Sequence, residues 1–356
     1  MQIFLLRATR ILVALTAAVS WSLVGCKPKP ASSPATESSE TPAASPSLST
    51  PSGGKATPSA KPAPATTAVP PLAQGPTELW REFSGTRAME EVRKQVEIGP
   101  RHAGSDAIEK ARLHIESSLA SSGWSVERQA FSDSTPRGPV KFVNLIARFR
   151  PPGTTTVPAT TQRAIVCSHY DTKRFSTIRF VGANDAGSST GALLELARVL
   201  AMAPALAVQV ELVFFDGEEA VVQFDATDGL YGSRHYASDL RSSGRAAQFR
   251  FGILWDMIGD RDFQLTLSPD SPPALSREIL AAAEALKLPG IFRMFDRAIY
   301  DDHVPLNTIA RIPTVDLIDF DYPAWHTADD TLERLAPESL QKTGAITLYH
   351  LRKALK

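Results

Sequence analysis

Val208-Gln209-Val210-Glu211-Leu212-Val213-Phe214-Phe215-Asp216-Gly217-Glu218-Glu219 is a mostly apolar run that ends in a glycine turn bearing adjacent carboxylates. Val208 to Phe215 reads as a strand of a sheet covered on both faces, because such strands lose the usual apolar and polar alternation. Charge at the end of a buried strand is costly unless it is paired, protonated or bound to a metal. The two glutamates therefore mark a site, and the apolar run marks the layer beneath it.

The neighbouring segments supply the other layers. Leu79 to Ile98 carries apolar residues at helical spacing and predicts one helix, broken at Ile98-Gly99-Pro100-Arg101. Ser105 to Ser121 predicts a second helix, with Ile108, Ala111, Ile115 and Leu119 on one face. Ser125–Phe131, Phe142–Ala147 and Ala164–Ser168 predict strands. Gly191–Met202 predicts a helix, Gly252–Trp255 and Thr314–Ile318 strands, and Ser276–Leu286 and Ser339–Leu355 helices. This alternation predicts an α/β three-layer sandwich, a central and mostly parallel twisted sheet with helices on both faces.

In that architecture, residues just past strand ends converge at one edge of the sheet. His169 and Asp171 follow one strand, Glu218 and Glu219 the next, and Asp256 a third. Asp185 lies in a loop before a helix, Asp301-Asp302-His303 form a polar cluster, and His326 follows Trp325. Zinc takes about four mixed nitrogen and oxygen ligands, and Asp185, Glu219 and His326 make a set of that kind. Adjacent side chains on an extended segment diverge, so one glutamate can bind metal while Glu218 stays free as a general base. Asp256 and Asp301 are then expected to share protons with Glu218 and raise its pKa.

Six motifs in this order resemble the animal-type glutaminyl cyclases, within the superfamily of zinc aminopeptidases. They are His169-Tyr170-Asp171-Thr172-Lys173, Phe180-Val181-Gly182-Ala183-Asn184-Asp185, Phe214-Phe215-Asp216-Gly217-Glu218-Glu219-Ala220, Leu230-Tyr231-Gly232-Ser233-Arg234-His235, Asp301-Asp302-His303-Val304-Pro305 and Trp325-His326-Thr327. The resemblance implies one zinc per chain on Asp185, Glu219 and His326, and Glu218 as the acid/base hydrogen-bonded to Asp256 and Asp301. It implies Trp325 as a wall of the substrate pocket, with Phe224 where a tryptophan is usual and Tyr322 where a phenylalanine is usual. Asp316 stands where a histidine is usual, and the loop from Tyr322 to His326 is one residue shorter. The implied reaction converts an N-terminal glutamine of peptides or proteins to pyroglutamate and releases ammonia. The alternative is an M28-type metal-dependent aminopeptidase, whose two-ion set would add His169 and Asp256. His303 reads as a surface or turn histidine, and Lys173 and Arg174 as an ordinary exposed loop.

The 356 residues are not all fold. Residues 1–25 read as an export signal: Arg7 and Arg10, then an apolar stretch ending in Leu23-Val24-Gly25-Cys26. That ending resembles the bacterial lipobox, which implies lipidation of Cys26 and an exported, membrane-anchored lipoprotein. Residues 26–75 are dominated by Pro, Ser, Thr and Ala and read as a disordered tether. Residues 76–356 suit one large domain. Cys167, the second of two cysteines, lies in an apolar run and reads as core. Formal net charge is +0, which leaves no basic excess for nucleic acid, so membrane contact is expected only through the lipid.

Overall fold

The computed structural model describes residues 71–151 and 163–355; the expected export signal, Cys26 and nearly all of the expected tether lie outside them. The strands are β1 (Trp124–Thr135), β2 (Gly138–Phe149), β3 (Arg163–His169), β4 (Val210–Phe215), β5 (Phe249–Asp256), β6 (Leu265–Leu267), β7 (Phe292–Met294) and β8 (Thr314–Ile318). They form one sheet in the order β1-β2-β4-β3-β5-β8-β6-β7. The centre, β4-β3-β5-β8, is parallel throughout, with Cys167 beside both Val213 and Leu254 and Trp255 beside Leu317. The β1–β2 hairpin adds to one side through antiparallel pairing of β2 with β4. The mixed edges leave the expected parallel core intact.

Among the described residues six longer helices cover this sheet: α1 (Gly85–Ile98), α2 (Asp106–Ser121), α3 (Ser189–Ala201), α4 (Tyr231–Ser242), α5 (Pro273–Ala285) and α6 (Pro337–Ala354). Alternate residues of each central strand point to opposite faces, and here both sets are apolar. Val166, Leu212, Phe214, Ile253 and Trp255 pack under α1, α2, α3, α5 and α6. Ile165, Cys167, Val213 and Leu254 pack against Tyr236, Ala237 and Leu240 of α4 and against Leu306 and Ala310. Full burial stabilises each such side chain by about 1.5–3 kcal/mol, so the two sheet faces dominate the folding energy. None of the described helices is long and apolar enough to cross a membrane.

The single helix expected over Leu79–Ile98 is divided. A short turn at Leu79–Glu82 precedes α1, and Ser84 caps α1 by accepting the Arg87 N–H at 3.3 Å. Helical spacing runs through the break, but the serine offers the backbone a cap that ends one element and starts the next. Ser105 caps α2 in the same way, accepting the Ile108 N–H at 3.2 Å. The strands β6 and β7 and the helix α4 were not anticipated. Three-residue strands show no alternation, and α4 buries only a narrow stripe.

A buried polar network fixes the end of β4. Asp216 is fully buried and accepts from Arg112 Nη2 at 2.6 Å and from the Val143 N–H at 2.7 Å. Arg112 Nε donates to the Tyr170 hydroxyl at 2.8 Å, which donates to the Val143 carbonyl at 2.6 Å. Burial opposes the Arg112 guanidinium, but Tyr170 and Asp216, with Glu109, hold it above its usual pKa. Removing one partner of a buried pair leaves an uncompensated charge. Arg112→Ala is therefore expected to lower the unfolding free energy by about 3–5 kcal/mol in urea titration; a loss near zero would mean the pair does not organise this strand end.

Candidate active site

The parallel strands β3, β4, β5 and β8 deliver their carboxyl ends to one edge, and the charged residues gather there. β3 ends at His169, and Asp171 follows two residues later. β4 ends at Phe215, and Gly217 turns the chain at φ +71°, in the left-handed region that favours glycine. β5 ends at Asp256, followed by Met257 at φ +47°. His326 itself sits at φ +56°, in a turn where Thr327 N–H donates to the Ala324 carbonyl at 3.1 Å. Positive φ at bulky residues is strained and concentrates at functional sites. Asp185 lies in the irregular turn before α3, and Asp330 holds that turn by accepting the Asn184 and Asp185 N–H groups at 2.8 and 3.2 Å.

Two donor sets share Asp185. In the first, His326 Nε2 stands 3.0 Å from Glu219 Oε1 and 3.3 Å from Asp185 Oδ2. In the second, His169 Nε2 stands 3.2 Å from Asp185 Oδ1 and 3.2 Å from Asp256 Oδ1. Within each set the ligand atoms lie within 4.8 Å of one another. Asp171 separates the two glutamates: its oxygens accept the Glu218 N–H at 3.1 Å and the Glu219 N–H at 3.4 Å. Glu219 turns to the first donor set, and Glu218 faces the cleft.

The donor chemistry fits a divalent cation. Three carboxylates and two imidazoles are the oxygen and nitrogen types that zinc takes. Asp185 Oδ2, 3.3 Å from His326 Nε2, is buried without a well-formed hydrogen bond, a cost that a cation in the first donor set would remove. Among the described residues, Lys173 is the one Lys or Arg side chain ion-paired to these acids, with Nζ 3.1 Å from Glu219 Oε2. This corrects the expectation of Lys173 as part of an ordinary exposed loop: its ammonium is drawn to the acidic cluster.

The electrostatics separate the acids by role. Burial opposes the Asp185 carboxylate, but hydrogen bonds to His169 and His326 hold its pKa below the usual range. Burial disfavours the His326 imidazolium, yet Asp185 and Glu219 push it up to about 9. Burial raises Glu218 well above the usual range; His169 opposes this, while Glu219 and Asp301 add to it. Asp301 is raised well above its usual value by burial and by Asp256 and Asp302. His303 is buried rather than at the surface, and burial lowers it to about 4. Asp316, also buried, lies 3.7 Å from His303 Nδ1 and is raised by burial and by Asp301.

The cleft of about 570 Å³ is lined by Glu218, Asp256, Asp301, Phe224, Trp325 and the first donor set, among others. Two expectations need correction. Among the described residues no hydrogen bond joins Glu218 to Asp256 or Asp301; Asp256 Oδ1 lies 3.2 Å from His169 Nε2 instead. Tyr322 does not line the cleft. It is buried behind it, and its phenol donates to Asp330 Oδ1 at 2.9 Å, because a buried hydroxyl needs a partner. Phe320 and Phe295 line the cleft and were not anticipated. Neither stands in one of the six motifs; Phe320 meets Trp325 with centroids 5.8 Å apart and Phe295 with centroids 5.5 Å apart.

Residues 144–351 match the model of peptidase family M28. A glutaminyl-peptide cyclotransferase-like protein of Mus musculus is 30% identical over 318 residues, which cover 79% of this chain and 76% of that protein. A protein of the same description from Bos taurus is 29% identical and covers 72% of each chain. The crystal structure of an Acidobacteriales bacterium glutaminyl cyclase superposes with a TM-score of 0.67 at 31% identity, covering 83% of this chain and 99% of that one. With this fold and these strand-end residues, the chain belongs to peptidase family M28, among its glutaminyl cyclase relatives.

Proposed function

We propose that this protein is a zinc-dependent glutaminyl-peptide cyclotransferase acting on peptides or proteins with an N-terminal glutamine. The observation that carries this reading is a protonatable Glu218 outside both donor sets, beside Glu219 within one of them, both in an aromatic-walled cleft. The similarity to the cyclotransferases of cattle and mouse supports the reaction class.

Asp185, Glu219 and His326 would hold one zinc, which when bound supplies Lewis acidity to polarise the γ-amide carbonyl. The chain's own groups do the rest. Trp325 and Phe224 wall the glutamine and exclude water from it. Ionised Glu218 takes a proton from the attacking α-amine as the new carbon–nitrogen bond closes the ring. The same carboxyl then gives that proton to the departing amide nitrogen, which leaves as ammonia. Asp301, itself raised well above its usual value by burial, lines the same cleft and adds to the rise of the Glu218 pKa, which makes that carboxyl a ready acceptor of the amine proton.

The aminopeptidase alternative is favoured by one observation, the second donor set of His169, Asp185 and Asp256. Metal counting together with product analysis separates the two. The expected outcome is one zinc per chain and ammonia release from glutaminyl peptides, lost on chelation and restored by zinc. Two ions per chain with release of free amino acids would replace this reading with the peptidase one. Glu218→Gln is expected to retain zinc while kcat falls by about 10²–10⁴-fold, the usual weight of a general acid/base; unchanged turnover would remove Glu218 from the reaction.

We also propose that lipidated Cys26 anchors the exported protein to a bacterial membrane. In a bacterial host, Cys26→Ser is expected to move the protein from the detergent-extracted membrane fraction to the soluble fraction. Retention of the variant in the membrane would contradict a lipid anchor.

A further inference from the structure

The turn that carries His326 is closed at its base by two side chains. Tyr322 and Asp330 stand on either side of the histidine, and the Tyr322 phenol donates to Asp330 Oδ1 at 2.9 Å. Within this loop the Trp325 N–H donates to the Tyr322 carbonyl at 3.2 Å, and the Asp330 N–H to the Thr327 carbonyl at 3.4 Å. His326 keeps φ +56° there. A bulky residue holds such a conformation only where its surroundings over-determine it.

The same carboxylate reaches a second segment. Asp330 Oδ1 also accepts the Asn184 N–H at 2.8 Å, and its Oδ2 accepts the Asp185 N–H at 3.2 Å. The Asp330 carbonyl takes the Ala183 N–H at 3.4 Å. The Asp185 turn has further ties of its own. Asn184 Oδ1 accepts the Gly259 N–H at 2.8 Å, and the Ser188 hydroxyl donates to the Asn184 carbonyl at 2.6 Å while accepting the Ile258 N–H at 3.1 Å. Asp330 is fully buried and Tyr322 nearly so, which strengthens bonds that water cannot replace. Asp185 and His326, distant in sequence, thus both depend on one carboxylate.

Resting on the reading that Asp185, Glu219 and His326 hold zinc, we propose that Tyr322 is a positioning residue for that site. Its hydroxyl, through Asp330, couples the His326 turn to the Asp185 turn and so sets both ligands before the cation binds. The contribution of the phenol is separable from that of Asp330. Without the hydroxyl the carboxylate keeps its two N–H bonds, and the Asp185 turn stays in place. What is lost is the tie that orients the His326 turn against it. A site that must order its ligands as it binds loses affinity. Tyr322 does not line the cleft, so its effect falls on zinc binding and not on proton transfer by Glu218.

The test strips the full-length protein of metal and titrates zinc against a competing chelator. Tyr322→Phe is expected to raise the zinc Kd by about tenfold or more, the usual weight of a group that orients metal ligands, and to leave kcat at saturating zinc unchanged. Tyr236→Phe is the control. It deletes another buried phenol-to-carboxylate bond, from Tyr236 to Glu211 Oε1 at 2.6 Å, at the far end of β4 from the donor sets. Its zinc Kd is expected to match that of the native protein. An unchanged Kd in Tyr322→Phe, or an equal rise in both variants, would overturn the coupling while the zinc reading stands. Failure of the native protein to bind zinc would overturn that reading and the coupling with it.

Discussion

Everything at the working edge of this protein answers to one electrostatic constraint: several carboxylates are forced together at the end of an apolar sheet. Asp185, Glu219 and Asp256 converge on His169 and His326 within hydrogen-bond range. In a region from which water is largely excluded, such charges repel strongly and are poorly solvated. They persist only where cations, protons or backbone N–H groups compensate them.

The surrounding structure shows which compensation each acid receives. Asp171, Asp228 and Asp330 each take backbone N–H groups and thereby fix the loops that carry Glu218, Phe224 and Asp185. Asp216 takes Arg112 and anchors the end of β4. Burial leads the causes that push Glu218, Asp301 and Asp316 upward, although Asp301 accepts the Asp302 N–H at 2.5 Å and Asp316 lies 3.7 Å from His303 Nδ1. The acids thus divide into those that hold structure, those suited to a cation and those able to handle a proton. That division fits the proposed ring closure, which needs a polarised carbonyl beside a group that moves one proton from the amine to the leaving nitrogen.

Much of this was legible in the chain. The apolar run into Gly217-Glu218-Glu219 revealed a buried strand and a site at its end, and β8 ran from Thr314 to Ile318 as read. Residues past the strand ends of a parallel sheet share one edge, and there the donor atoms of Asp185, Glu219 and His326 lie within 4.8 Å of one another. Other features depended on neighbours far away in sequence. Tyr322 reads as a pocket aromatic, but its hydroxyl goes to Asp330. Lys173 reads as loop until Glu219, 46 residues on, comes within 3.1 Å. His303 gives no local sign that it is buried beside Asp316.

What the sequence determined by itself was the layer order and which candidate groups stand at the strand ends. Both arise from local facts: the period of apolar residues, the conformational freedom of Gly217, and the chemistry of Asp, Glu and His. What only the tertiary structure decided was the division of labour among those groups and the shape of the cleft. Whether a carboxyl is ionised, and whether an aromatic is wall or support, depends on burial and on partners brought together from β3, β4, β5 and the turns beyond β8. Those distances are set when the sheet closes, and no stretch of chain contains them.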